Sequence, residues 1–107
     1  MEQKPRQEHS AKLYCTKNGT APFNDWLFRL KDPCAQARIT KAIKQMEAGN
    51  FGDTKMLKDC FGVLERRIHF GPGYRIYYVV VNNKIIILFA GSDKSRQKST
   101  IAKVKTY

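Results

Sequence analysis

The segment VLERRIHFGPGYRIYYVVVNNKIIILFA, residues 63–90, decides the fold. It contains three runs rich in β-branched and aromatic residues, at 63–70, 74–81 and 84–90. Gly71-Pro72-Gly73 separates the first two runs, and Asn82-Asn83 separates the last two. Asparagine at both centres of a two-residue loop suits the positive φ angles of a type I′ turn, which closes a hairpin without splaying its strands. The segment therefore reads as an antiparallel meander. Ile85, Ile86, Ile87 and Leu88 are consecutively apolar, so that strand is expected to be central.

Working toward the N-terminus, two helices precede the meander. Phe23, Trp26, Leu27 and Leu30 recur at helical spacing, with Pro22 in the first turn and Thr20 or Asn18 as the expected cap. Asp32-Pro33 ends that helix and starts another, Asp32 as N-cap and Pro33 at the first helical position. Ala35, Ile39, Ala42, Ile43 and Met46 line one face of the second helix, and Gly49 is placed to close it in the left-handed conformation. Helices joined this tightly form a hairpin whose apolar stripes share one target, the sheet. Residues 11–17 are expected to form a short strand, followed by an Asn18-Gly19 turn, and residues 1–10 a flexible polar arm. At the other end, residues 95–105 carry only Ile101 and Val104 as apolar anchors and read as a short helix. The expectation is a single domain over 1–107 of α+β class: an N-terminal strand, a helical hairpin packed on an antiparallel meander, and a short C-terminal helix. The second sheet face is expected to be partly open.

Composition narrows the function. The 107 residues include 20 Lys+Arg against 9 Asp+Glu, a formal net charge of +11, and 42% are hydrophobic. That supports a packed core and argues against wholesale disorder. The excess is uneven: residues 1–53 hold 9 basic and 6 acidic side chains, a net of +3, and residues 54–107 hold 11 and 3, a net of +8. Because the second half is also the strand-forming half, its charges ride on structure and create a field that attracts polyanions. No apolar run approaches the ~18 residues of a membrane span, and MEQKPRQEHS lacks the apolar stretch of a secretory signal. Cys15, Cys34 and Cys60 are too few and scattered for a disulfide framework or a zinc site. A cytoplasmic protein without membrane contact is expected.

Strand alternation sorts the meander's side chains. Leu64, Arg66, Ile68 and Phe70 share one face and are expected to meet the helices, while Val63, Glu65, Arg67 and His69 share the other. On the next strand Arg75, Tyr77 and Val79 share one face, and Tyr74, Ile76 and Tyr78 the opposite one. Cations and aromatics thus gather on one side of a sheet, as phosphate contacts and base stacking require. Each also has a plainer reading. Arg67 can be an in-strand ion pair of Glu65, His69 a structural histidine and the tyrosines sheet packing. Lys55 and Lys58 can be solvated loop residues, and Lys94 and Arg96 helix-surface charge.

No histidine or cysteine pair has zinc spacing, the nine acidic residues do not cluster, and no Gly-rich phosphate loop ends in Lys-Ser/Thr. No cofactor or metal is expected. An enzyme acting on a polyanion without a metal has a route for RNA, in which the 2′-hydroxyl attacks the adjacent phosphate. One group must take the proton, and cations must stabilise the charge that develops on the phosphorane oxygens. Lys55, Arg67, His69 and Lys94 are the candidate catalytic residues.

The order of two helices, Gly62-Val63-Leu64-Glu65-Arg66-Arg67-Ile68, Gly71-Pro72-Gly73-Tyr74-Arg75-Ile76, Ile85-Ile86-Ile87-Leu88 and Gly91-Ser92-Asp93-Lys94 resembles the RelE/ParE toxin superfamily. It is closest to the HigB-like, phage-associated addiction module killer branch. The similarity spans roughly residues 20 to 104 and includes Trp26-Leu27, Gly49-Asn50, Gly52-Asp53-Thr54-Lys55 and Gln97. The resemblance implies a type II toxin that cuts messenger RNA at the ribosome and is restrained by a cognate antitoxin of helix-turn-helix type. By position, Arg67 matches the family's phosphate-contacting arginine, Lys94 the basic residue after the last strand and Lys55 the basic residue before the sheet. Arg66, Tyr74, Arg75, Tyr77, Lys58, Arg96 and Gln97 are then expected to contact RNA. Two departures stand out. An arginine, Arg66, occupies an expected core position, which puts the choice between Arg66 and Arg67 in question. The C-terminal tyrosine of some ribonuclease members is replaced by Thr100 and Ile101, with Tyr107 further on. The same superfamily includes ParE-type inhibitors of DNA gyrase, and a non-catalytic RNA-binding module is the third reading.

Overall fold

A computed structural model describes residues 8–107. Five strands form one sheet: β1 Ser10–Leu13, β2 Thr54–Met56, β3 Leu64–Ile68, β4 Tyr74–Val81 and β5 Ile85–Asp93, in the order β1-β5-β4-β3-β2. β1 pairs parallel to β5 and every other pairing is antiparallel. The helices are α1 Pro22–Arg29, α2 Pro33–Glu47 and α3 Gln97–Val104, the last preceded by a single 3-10 turn at Lys94–Arg96. The expected meander is β3-β4-β5. Asn82 and Asn83 take φ values of 53° and 55°, as the two-residue turn requires.

Local chemistry sets the helix boundaries. The Asp32 carboxylate accepts a hydrogen bond from the Cys34 amide at 2.9 Å, so it satisfies one orphan donor of α2. Gly49, at φ +91°, ends that helix in a conformation costly for a residue with a Cβ. For α1 the expected cap is wrong: the N-cap is Ala21, with no side-chain capping bond, and neither Thr20 nor Asn18 serves. The Gln36 amide of α2 instead secures the other end of α1 by donating to the Leu27 and Leu30 carbonyls at 3.1 and 2.9 Å.

Both apolar helix stripes lie on one face of the sheet. Phe23, Ala35, Ile39, Ala42 and Met46 pack there against Ile68, Tyr74, Ile76, Tyr78, Ile86 and Leu88. The opposite face carries a second, smaller core. Cys60, Val63, Tyr77, Ala90 and Val104 are buried in it, with Ile101 and Tyr107 from the C-terminal segment packed alongside. That face is therefore open only beyond the cover of α3.

Three details depart from expectation. The first strand is 10–13 rather than 11–17, and the expected arm lies mostly outside the described residues. β4 occupies the middle of the sheet, while the apolar strand β5 is interior because β1 flanks it. Lys55 belongs to an edge strand, paired opposite Glu65, and not to a loop. No helix among the described residues is long and apolar enough to cross a membrane.

Candidate nucleic-acid interface and active site

The C-terminal end of β3 organises the site. Arg67 lies opposite Arg75 of β4 in the strand register, and Glu65 lies opposite Tyr77. Two cations facing each other across a ladder repel unless an anion answers them. Glu65 supplies that anion. It is completely buried, accepts from Arg67 Nε at 3.2 Å and from Gln97 Nε2 of α3 at 2.8 Å. The in-strand ion pair is thus present, and it fixes Arg67 rather than retiring it, since Arg67 remains half-exposed at the lip of a cleft.

This cleft, of about 450 Å³, brings Arg67, His69, Arg75 and Lys94 together beside Gly71-Pro72-Gly73. Lys94 is held there by its backbone, whose N–H donates to the Gly73 carbonyl at 3.0 Å. The Asp93 carboxylate accepts from the Arg96 amide at 3.0 Å and from the Ser95 hydroxyl at 2.7 Å, so the chain turns sharply out of β5 just at Lys94. Arg75 Nε is buried without a hydrogen-bond partner.

His69 meets Asp53 through Nε2, 2.6 Å from Oδ2. The Asp53 carbonyl also accepts from the Arg67 amide at 2.8 Å, so one loop residue clasps the strand end through both backbone and side chain. The hydrogen bond from His69 holds the Asp53 carboxyl below its ordinary range, helped by the nearby charges of His69, Arg67 and Arg66. With Nε2 engaged on a carboxylate, Nδ1 is the imidazole atom left to exchange a proton with a ligand.

The tyrosines are placed otherwise than expected. Tyr77 is fully buried, and its hydroxyl lies 3.2 Å from the Ser92 hydroxyl. Burial, with Glu65 nearby, pushes its pKa up to about 12. Tyr74 is buried on the helix face against Trp26, with ring centroids 6.2 Å apart. Neither ring is free to stack on a base, because α3 covers one and α1 the other. Tyr107, stacked on Tyr14 at 4.9 Å, lines a different cleft with Arg96. Arg96 lines neither of the clefts that contain Arg67.

The remaining expected contacts divide in the same way. Gln97 is spent on Glu65 and serves as a support. Lys55 shares the sheet face of Glu65 by register and is exposed, while Lys58 sits on an exposed loop outside both Arg67 clefts. Arg66 points to the helix face, as its strand position requires, and its Nη2 donates to Gln45 Oε1 at 3.0 Å. The register is therefore as read, and of the two adjacent arginines it is Arg67 that lines the cleft with His69, Arg75 and Lys94. Asp53 went unrecognised because nothing local links it to a histidine sixteen residues on. Arg38 and Lys41 also border the site. Their spacing on the polar face of α2 was the available signal. Among the described residues no three His, Cys, Asp or Glu side chains gather as a metal site would.

Residues 25–106 match the family described as "Phage derived protein Gp49-like (DUF891)". An uncharacterized protein of Haemophilus influenzae is 43% identical over 86 residues, covering 80% of this chain and 85% of that protein. With a match that runs from α1 to the end of the last helix, and with the RelE-like strand order in place, the chain belongs to the Gp49-like family of phage-derived proteins, within the RelE/ParE toxin superfamily.

Proposed function

We propose that this protein is the toxin of a type II toxin–antitoxin module of the HigB-like branch, and that it cleaves messenger RNA on the ribosome. The observation that carries the reading is the convergence of Arg67, His69, Arg75 and Lys94 on one cleft, with the histidine held by a carboxylate. In the mechanism, Nδ1 of His69 takes the proton of a 2′-hydroxyl, whose oxygen attacks the adjacent phosphorus. Arg67 and Arg75 stabilise the charge on the phosphorane oxygens, an interaction strongest in the transition state. Lys94 donates a proton to the departing 5′-oxygen. The products are a 2′,3′-cyclic phosphate and a 5′-hydroxyl end. Lys55, on the same sheet face, adds to the field that draws the backbone in. The family membership implies a cognate antitoxin, which we take to be of helix-turn-helix type.

Brief induction without antitoxin, followed by primer extension on a reporter messenger RNA, tests the reading. Discrete cleavages that require translation should appear with the wild type and disappear with Arg67→Ala, which should still fold and bind antitoxin. Arrested growth with intact message would point instead to gyrase inhibition. Toxicity that survives Arg67→Ala and Lys94→Ala together would sink the catalytic assignment.

A further inference from the structure

Two clefts meet at the end of β3. Beside the Arg67–Lys94 cleft lies a larger one, about 760 Å³, between α2 and β3, and both share residues 67–70. Exposed Arg38 and Lys41 of α2 border it, and Asp53 is the carboxylate among its lining residues, already bonded to His69. Arg66 also lines it and is only 9% exposed. Its Nη2 donates to Gln45, but Nε and Nη1 have no hydrogen-bond partner, and no ion pair answers the charge among the described residues. Burial lowers its pKa, the response of a cation short of compensation. Gly52 closes over this group: a side chain there would collide with the guanidinium. Asp53 compensates this charge only from a distance, without a direct ion pair, and an anion in the adjoining cleft would offset the remaining cost of burying it. The cleft also offers a flat surface, because the Arg38 guanidinium lies 4.7 Å from the Phe70 ring centroid.

We propose that the α2–β3 cleft is an RNA subsite that holds the strand flanking the bond cut at Arg67. Arg38 and Lys41 contact phosphates, Arg66 supplies positive charge from the floor, and the Arg38–Phe70 pair receives a base. The proposal rests on the RNA-cleaving reading and extends it. An acidic protein segment is the competing polyanion. RNA is favoured because the cleft continues into the Arg67 site through shared residues, and because stacked cation and ring surfaces suit a base.

The test measures binding of a short 2′-O-methyl oligoribonucleotide, which lacks the attacking hydroxyl, by fluorescence anisotropy over a range of salt. The full-length protein is compared with the Arg38→Ala/Lys41→Ala double variant and with Lys94→Ala. Both substituted α2 residues are exposed, so the double variant should stay folded and its thermal midpoint should not fall. The double variant should bind about tenfold more weakly, and its log–log salt slope should shrink by about 1.4, or ~0.7 for each phosphate that is no longer neutralised. Unchanged affinity and slope in the double variant, with weaker binding by Lys94→Ala, overturns the subsite and leaves the cleavage reading standing. No binding by the wild type overturns the subsite, while translation-dependent cleavage in the primer-extension experiment decides the cleavage reading separately. Unchanged oligonucleotide binding with loss of antitoxin binding assigns the cleft to protein and overturns the subsite.

Discussion

Glu65 shows why residue-level chemistry dominates this site. A carboxylate completely removed from water needs partners, and Arg67 and Gln97 satisfy its two oxygens at 3.2 and 2.8 Å, with the Tyr77 hydroxyl close by. Glu65→Ala leaves both partners without an acceptor, and it should destabilise the fold by about 2–3 kcal/mol in urea denaturation. The same change frees Arg67, so residual folded protein should cleave at least tenfold more slowly. Tyr77, opposite Glu65, gives a pH signature. Its pKa is raised by burial to about 12, above the ordinary value of about 10. The stability tied to its neutral hydroxyl is therefore fully present below about pH 10 and is lost as pH rises toward about 12. Denaturation midpoints should fall over that window, and absorbance titration should show a late-ionising tyrosine that Tyr77→Phe removes. An absent late phase would contradict the burial of that hydroxyl.

At the level of elements, the strands were more legible than their details. The meander and its Asn82-Asn83 turn follow from alternation and turn chemistry, which are local properties. β2 did not, because Thr54–Met56 is too short to display a period and exists by pairing with β3. The irregularity between Tyr77 and Tyr78 was equally hidden. It places Phe89 and Ala90 consecutively within the second core, and it returns Gly91 to the helix face beneath Trp26. A Cβ at Gly91 would overlap the indole ring, so Gly91→Ala should force α1 away from β5 and cost about 1–3 kcal/mol. Thermal unfolding checks this directly, and Trp26 fluorescence should report the displacement.

For the whole molecule, the decisive quantity is the net charge of +11 on 107 residues. Arg67, Arg75 and Lys94 converge on one cleft, and Arg38, Lys41 and Arg66 line its neighbour, so cations repel one another in the folded state more than in an expanded chain. Raising salt from about 0.05 to about 0.3 M shortens the screening length and should raise the thermal midpoint by a few degrees. Nucleic-acid binding should weaken over the same range, since it gains from the release of counter-ions. A midpoint that falls with salt would mean that the ion pairs around Glu65 and Asp53 outweigh this repulsion.

The amino-acid order by itself determined the fold class, the capping of α2, the faces that the residues of β3 and β4 occupy, and the candidacy of Arg67, His69, Arg75 and Lys94. These depend on periods and turns that act within a few residues. Only the tertiary structure decided that α3 and α1 bury Tyr77 and Tyr74, that Asp53 holds His69, that Gln97 supports Glu65, and that Arg66 lies beneath the α2 cleft. Each of those outcomes depends on residues brought together from separate parts of the chain, where pairing and burial are settled by packing the whole molecule at once.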